Sequence, residues 1–232
     1  MKNTKSSKSP PKQACLEDLR ARILTLDIAP GAGLEEASLS AAYGISRTPL
    51  REVLQRLAGE GYVELSEQRG ARVASMDLQT MQAFFRTAPL IYASTARLAA
   101  ENRTPSQVDE LRQVQVGFAE AVRAGDAAKM ALRNHRFHEL IGEIAANPYL
   151  MPSLRRLLID HARLGQTFYR AASTEETAAI GEASRQHEQM IEAIESGDAE
   201  AAADLTLKHW DLSRERIERF VRPDPLPLKF TA

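Results

Sequence analysis

The chain has 232 residues, 44% hydrophobic and 26% charged, the balance of a folded protein of one to two domains rather than a disordered, collagenous or disulfide-dense one. Its single cysteine, Cys15, cannot form an internal disulfide and points to a reducing, cytoplasmic setting. Apolar runs such as Ala88–Ala93 fall far short of the roughly 20 residues of a membrane span, and Met1–Lys12 lacks the apolar stretch of a signal peptide. A formal net charge of −1 excludes coating of nucleic acid by bulk electrostatics, yet leaves room for a local basic surface.

Residues 1–15 begin with four lysines among Ser and Pro and read as a flexible basic tail. From Leu16 the apolar positions Leu16, Leu19, Ile23 and Leu24 have helical period, with Pro30-Gly31 expected to end the helix. A short helix is predicted over Glu36–Tyr43, closed by Gly44, and a third over Arg47–Gly59, with Ser46 as its N-cap. The period then changes. Tyr62, Val63, Leu65 and later Ala71 and Val73 predict two strands joined by a polar turn at Glu67–Gly70. Three helices and a hairpin over residues 16–76 make the plan of a winged helix-turn-helix. Residues 77–222 carry only helical periodicity, in six segments: Leu78–Glu101, Ser106–Ala124, Ala127–Ala146, Tyr149–Ala171, Glu176–Ser196 and Ala199–Val221. Short breaks such as Gly125-Asp126 and Gly197-Asp198 end one helix and cap the next, so a mainly α chain ending in an antiparallel bundle is predicted. Residues 223–232, rich in proline, form a C-terminal tail.

Within Ala37–Leu57 a helix, a glycine turn and a second helix have helix-turn-helix spacing. Arg47 and Arg51 stand four residues apart and share the exposed face opposite Leu50, Val53, Leu54 and Leu57. An arginine can donate two hydrogen bonds to guanine, and Ser, Thr and a helix N-terminus suit phosphate. Two exposed arginines can equally be solvated, or paired to a glutamate. The string Pro30-Gly31…Leu34-Glu35-Glu36…Gly44-Ile45-Ser46-Arg47-Thr48-Pro49-Leu50-Arg51-Glu52…Glu60-Gly61…Gly70…Val73 resembles the DNA-binding domain of the GntR family of bacterial transcription regulators. That resemblance implies DNA contacts at Ser46, Arg47, Thr48, Arg51, Arg69 and Gly70, and a homodimer on an inverted-repeat operator. Ala37 stands where some relatives carry arginine, which implies fewer base contacts from the preceding helix.

Of five histidines, His138 shares a helix face with Asn134, while His187 and His209 flank the Gly197-Asp198 turn at similar distances and should lie level on neighbouring helices. Three imidazoles and an amide are thus expected to converge, either as hydrogen-bonded core residues or as ligands for a divalent ion such as zinc or nickel. The region Leu78–Phe220 resembles the FCD effector domain of the FadR-like branch, through Asn134-x-x-Phe137-His138, Asn147-Pro148, His187-Glu188, Gly197-Asp198 and His209. The resemblance implies a metal held by Asn134, His138, His187 and His209 and reached by a small carboxylate effector. Asn134 departs from the usual carboxylate. Arg86 is a weak candidate for anion binding, on a helix that Pro89 should kink. His135 and His161 read as surface or local structural residues.

The favoured reading is a ligand-responsive regulator, a repressor in most relatives, that senses a small organic acid through a metal-containing helical domain. The alternatives are a metal-free regulator answering to fatty acyl-CoA, which retention of the three histidines disfavours, and a metal-dependent hydrolase. For the hydrolase, Glu139 and Glu188 adjoin histidines only in sequence, and adjacent helical residues diverge by about 100°.

Overall fold

The computed structural model describes residues 10–66, 70–171 and 173–221. Helix α1 (Pro11–Leu24) begins inside the expected tail, because Pro11 presets the first helical turn and Cys15 and Leu16 are both buried. It ends well before Pro30: Thr25 Oγ1 donates back to the carbonyl of Ala21 (3.0 Å), and Leu26 turns into the left-handed region. Helices α2 (Glu36–Tyr43) and α3 (Arg47–Glu60) follow, then strands β2 (Val63–Ser66) and β3 (Gly70–Val73). The sheet also holds a strand the sequence did not announce, β1 (Gly33–Leu34), which pairs antiparallel with β3 in the order β1-β3-β2. Two residues are too few to show alternation. Leu19, Ile23, Leu50, Leu54 and Leu57 fill the core of this winged unit, each removal from water contributing about 1.5–3 kcal/mol.

Six helices complete the described chain: α4 (Leu78–Asn102), α5 (Pro105–Ala124), α6 (Ala127–Ala145), α7 (Leu150–Tyr169), α8 (Thr174–Ser196) and α9 (Ala199–Val221). Their ends carry the caps the punctuation predicted. Asp126 accepts from the amide of Lys129, and Asp198 from that of Ala201. Helix α4 stays helical through Pro89 and packs on α6 and α9, while α5 lies against α6 and α8. Helices α6 and α7 approach closely at Gly142, where any Cβ would collide with Leu154. The tail expected at 223–232 lies outside the described residues.

Helix α7 joins the two units. Every residue from Leu157 to Gln166 is buried. Ile159 and Ala162 enter the core of the winged unit, whereas Leu154, Leu157, Leu158 and Leu164 pack with Met81, Phe84 and Trp210 in the bundle. Between these faces, the fully buried Arg163 pairs with Asp160 and donates to the carbonyl of Ala74 (2.7 Å), at the exit from β3. Arg156 adds a second ion pair to Asp160 (2.7 Å). Removing one partner from a buried pair leaves the other charge uncompensated. Arg163→Leu is therefore expected to destabilise the protein by about 3–5 kcal/mol, measured by urea denaturation. A loss below 1 kcal/mol would mean that Arg156 alone compensates Asp160.

Candidate DNA-reading surface and metal centre

Ser46, Arg47, Thr48 and Arg51 are all exposed at the start of α3, opposite the buried Leu50, Val53, Leu54 and Leu57. Ser46 occupies the N-cap position without making a side-chain cap, so its hydroxyl does not serve the helix. Arg51 reaches Glu36 on α2 (3.0 Å) but keeps 63% of its side chain exposed, a pairing too wet to hold the arginine away from a stronger anion. Gly70, exposed with a φ of 68°, opens β3 at the tip of the hairpin. Arg69 lies outside the described residues.

The histidines lie in the bundle core. His138 on α6, His187 on α8 and His209 on α9 are buried, and one nitrogen from each lies within 4.8 Å of the others. Asn134 sits one turn before His138 on the same buried face of α6. The bonds around these rings fix their protonation. Gln115 Nε2 donates to the carbonyl and hydroxyl of Ser184 (2.9 and 3.0 Å), which turns its Oε1 toward His187 Nδ1 at 2.9 Å. Gln186 Nε2 donates to Glu182 (2.9 Å), which turns its Oε1 toward His209 Nδ1 at 3.2 Å. An amide oxygen can only accept, so each Nδ1 carries the proton. In the neutral rings both Nε2 atoms are then bare lone pairs, and they face each other at 3.3 Å.

Two further buried atoms, Asn134 Oδ1 and His138 Nε2, have no hydrogen-bond partner. A buried polar atom without a partner costs about 1–3 kcal/mol. Opposed acceptors beside orphaned polar atoms suit a cation better than a closed hydrogen-bonded core. The three imidazole nitrogens therefore fit a divalent ion, and Asn134 Oδ1, one turn before His138 on α6, is a buried oxygen without a partner.

Of the two readings the sequence left for His161, the surface one is excluded and the structural one remains. His161 is buried on α7, its Nδ1 2.9 Å from the hydroxyl of Tyr92, with its ring centroid 5.8 Å from that of His138. It also borders a cavity of about 10 Å³, room for one water, lined with His209, Phe168, Tyr169, Leu212 and Ser213. His135 is half-buried instead in a crevice between the two units, with Arg20, Glu60 and Glu139. Arg86 is exposed on α4 and is not brought to the histidines. Gln115 and Gln186 escaped sequence reading. A glutamine in the apolar stripe Val108, Leu111, Gln115, Phe118 was the available signal, since a buried amide needs a partner.

Burial holds all four core imidazoles neutral, aided at His138, His161 and His187 by repulsion from neighbouring rings. The pKa falls well below 6.5 at His138 and His187, to about 4 at His209 and to about 3 at His161. Below about 6.5 the unfolded chain takes up protons that the folded chain refuses, so these groups lower stability as pH drops toward 4. Metal-free protein should accordingly show a melting temperature that is level above pH 7 and falls steadily from pH 6.5 to 4. A flat profile across that window would mean the rings are already charged in the fold.

Residues 11–73 match the family described as bacterial regulatory proteins, gntR family, and residues 90–212 match the FCD domain. The chain is 29% identical over 214 residues to an uncharacterized HTH-type transcriptional regulator of Streptomyces ambofaciens, covering 89% of this chain and 85% of that one. It is 27% identical over 212 residues to the HTH-type transcriptional repressor RspR of Escherichia coli, covering 90% of each. Among solved structures, E. coli McbR/YncC superposes with a TM-score of 0.76 at 20% identity, over 93% of this chain and all of that one. A GntR regulator from Rhodococcus gives 0.67 at 17% identity, over 91% and 99%. At such identities these structures speak for the fold alone.

Proposed function

The chain belongs to the GntR family of bacterial regulatory proteins, with an FCD effector domain, and on that premise we propose that it is a metal-bearing repressor that senses a small carboxylate. Relatives of known role are transcriptional regulators and not enzymes, and no helix among the described residues is long and apolar enough to cross a membrane. On the proposed reading Ser46 and Thr48 take phosphate at the N-terminus of α3, Arg47 and Arg51 read base edges, and Gly70 lets the wing with Arg69 approach the backbone. A homodimer on an inverted repeat doubles these contacts. Arg47→Ala or Arg51→Ala should cost about 1–3 kcal/mol of operator discrimination, and Arg69→Ala should weaken binding to all sequences and flatten its salt dependence. Fluorescence anisotropy on operator and scrambled duplexes measures both. Unaltered discrimination in both α3 variants would overturn the assignment of that helix.

One observation carries the sensing half: the opposed lone pairs of His187 and His209 beside the unpartnered His138 and Asn134. A divalent ion bound there supplies a Lewis-acidic anchor for an oxygen of the effector. The chain's part is to hold His187 and His209 in one tautomeric state, keep the donors buried, and border the adjoining cavity with His161, Phe168 and Tyr169 from α7. A cavity of about 10 Å³ is too small for a carboxylate, so admission must shift its walls. Because α7 also sits in the winged core, a shift there reaches the DNA-reading unit, and a coupling of about 1–3 kcal/mol suffices to change operator occupancy. The same small cavity disfavours a fatty acyl tail. His187→Ala or His209→Ala should abolish metal uptake and the response to acids while operator binding persists, read by elemental analysis and anisotropy. Wild-type protein that stays metal-free after exposure to zinc, nickel and manganese would remove the metal from this reading.

A further inference from the structure

We propose that the lysines ahead of α1, Lys2, Lys5 and Lys8, form a basic arm that grips the phosphate backbone of DNA beside α3 and supplies charge that the folded winged unit lacks. This rests on the reading of α3 as the helix that enters the groove.

The winged unit is short of positive charge. Between Leu16 and Met76 it carries seven arginines and no lysine against nine Asp and Glu, a formal charge of −2. Four of those arginines are engaged within the unit itself. Arg20 and Arg56 share Glu60, Arg22 stands 3.7 Å from Asp18, and Arg51 meets Glu36. Duplex DNA presents one negative charge for about every 1.7 Å of its axis, and affinity rises with each phosphate that a cation neutralises. An acidic body is repelled by that surface at a distance. The charge that draws it in has to come from outside the folded unit.

That charge stands immediately ahead of α1. Residues 1–15 hold four lysines and no carboxylate, and α1 brings them to the reading helix. Lys12, in its first turn, pairs with Glu52 on α3, the neighbour of Arg51. The pair also offsets a half-exposed carboxylate that borders the reading face. Pro10 lies with Leu16, Val53 and Arg56 around one crevice between α1 and α3. It is extended, with φ −51° and ψ 141°, so the chain reaches α1 from beside α3. Lys2, Lys5 and Lys8 lie outside the described residues, but they recur at every third position of the sequence. That repeat sets side chains on one face of a polyproline-type chain. Nine extended residues span up to about 30 Å, close to the ~34 Å of one DNA turn. Phosphate contacts carry no sequence information, so the arm adds affinity and leaves discrimination to α3.

The test titrates a random-sequence DNA duplex with the full chain at several salt concentrations, by fluorescence anisotropy. With Lys2→Gln, Lys5→Gln and Lys8→Gln combined, the slope of log affinity against log salt should flatten by about 2–3 per subunit, and affinity at about 0.1 M salt should fall by roughly 10- to 100-fold. The melting temperature should not change, because the three positions precede the first helix. Lys129→Gln with Lys208→Gln, both exposed on the bundle, should leave the slope as it is. Equal flattening in that control would show net charge alone at work and overturn the arm. A wild-type slope in the arm variant overturns it too, and if the melting temperature then falls, the lysines serve the acidic bundle instead. Either result leaves α3 as the reading helix. Wild-type protein that binds no duplex even at low salt overturns both.

Discussion

The structure depends on one constraint: α7 is buried on all sides for most of its length, because it belongs to two cores at once. A helix in that position is ordinarily apolar all round. This one carries Asp160, His161, Arg163 and Gln166 in consecutive turns. Each must therefore find a partner inside the protein, and the partners available come from different units. Arg163 closes on Ala74 at the end of the wing, and His161 closes on Tyr92 in the bundle. The joint between the winged unit and the helical bundle is thus a shared packed helix, where a flexible tether would leave them independent.

The second determinant is electrostatic. Two glutamines, each with its own amide nitrogen engaged, impose one tautomer on two histidines and bring their unprotonated nitrogens face to face. Hydrogen bonds outside a ligand set often decide what the ligands can hold. On the proposed reading they do so here before any ion arrives. The site stores its disposition toward a cation in the orientation of two side-chain amides.

Much of this was legible in the sequence. The six bundle helices are bounded by local chemistry, such as Gly197-Asp198, that works without knowledge of the rest of the fold. The exposed face of α3 followed from the spacing of Arg47 and Arg51, and the meeting of His187 with His209 from their distance to a single turn. What stayed hidden depends on contacts between distant segments. Strand β1 exists only because β3 offers an edge to Gly33 and Leu34. In α7 the charged residues Arg155, Arg156, Asp160 and Arg163 look like a solvated face, and nothing local shows that the winged unit covers part of it. The surface alternative for His161 falls for that reason, and Arg86, a weak candidate from the sequence, is exposed on α4.

The walls of the small cavity are unequal in what they can tolerate. On one side His161, Gly165, Phe168 and Tyr169 belong to α7, where any change also strains the seat of the winged unit. On the other, Ala183, Leu212 and Ser213 come from α8 and α9, and neither helix contributes to the winged core. On the proposed reading, evolution can therefore retune what this regulator senses by substitutions on the α8 and α9 wall while the winged core is left untouched. Descendants of a common ancestor would diverge in diet before they diverged in operator.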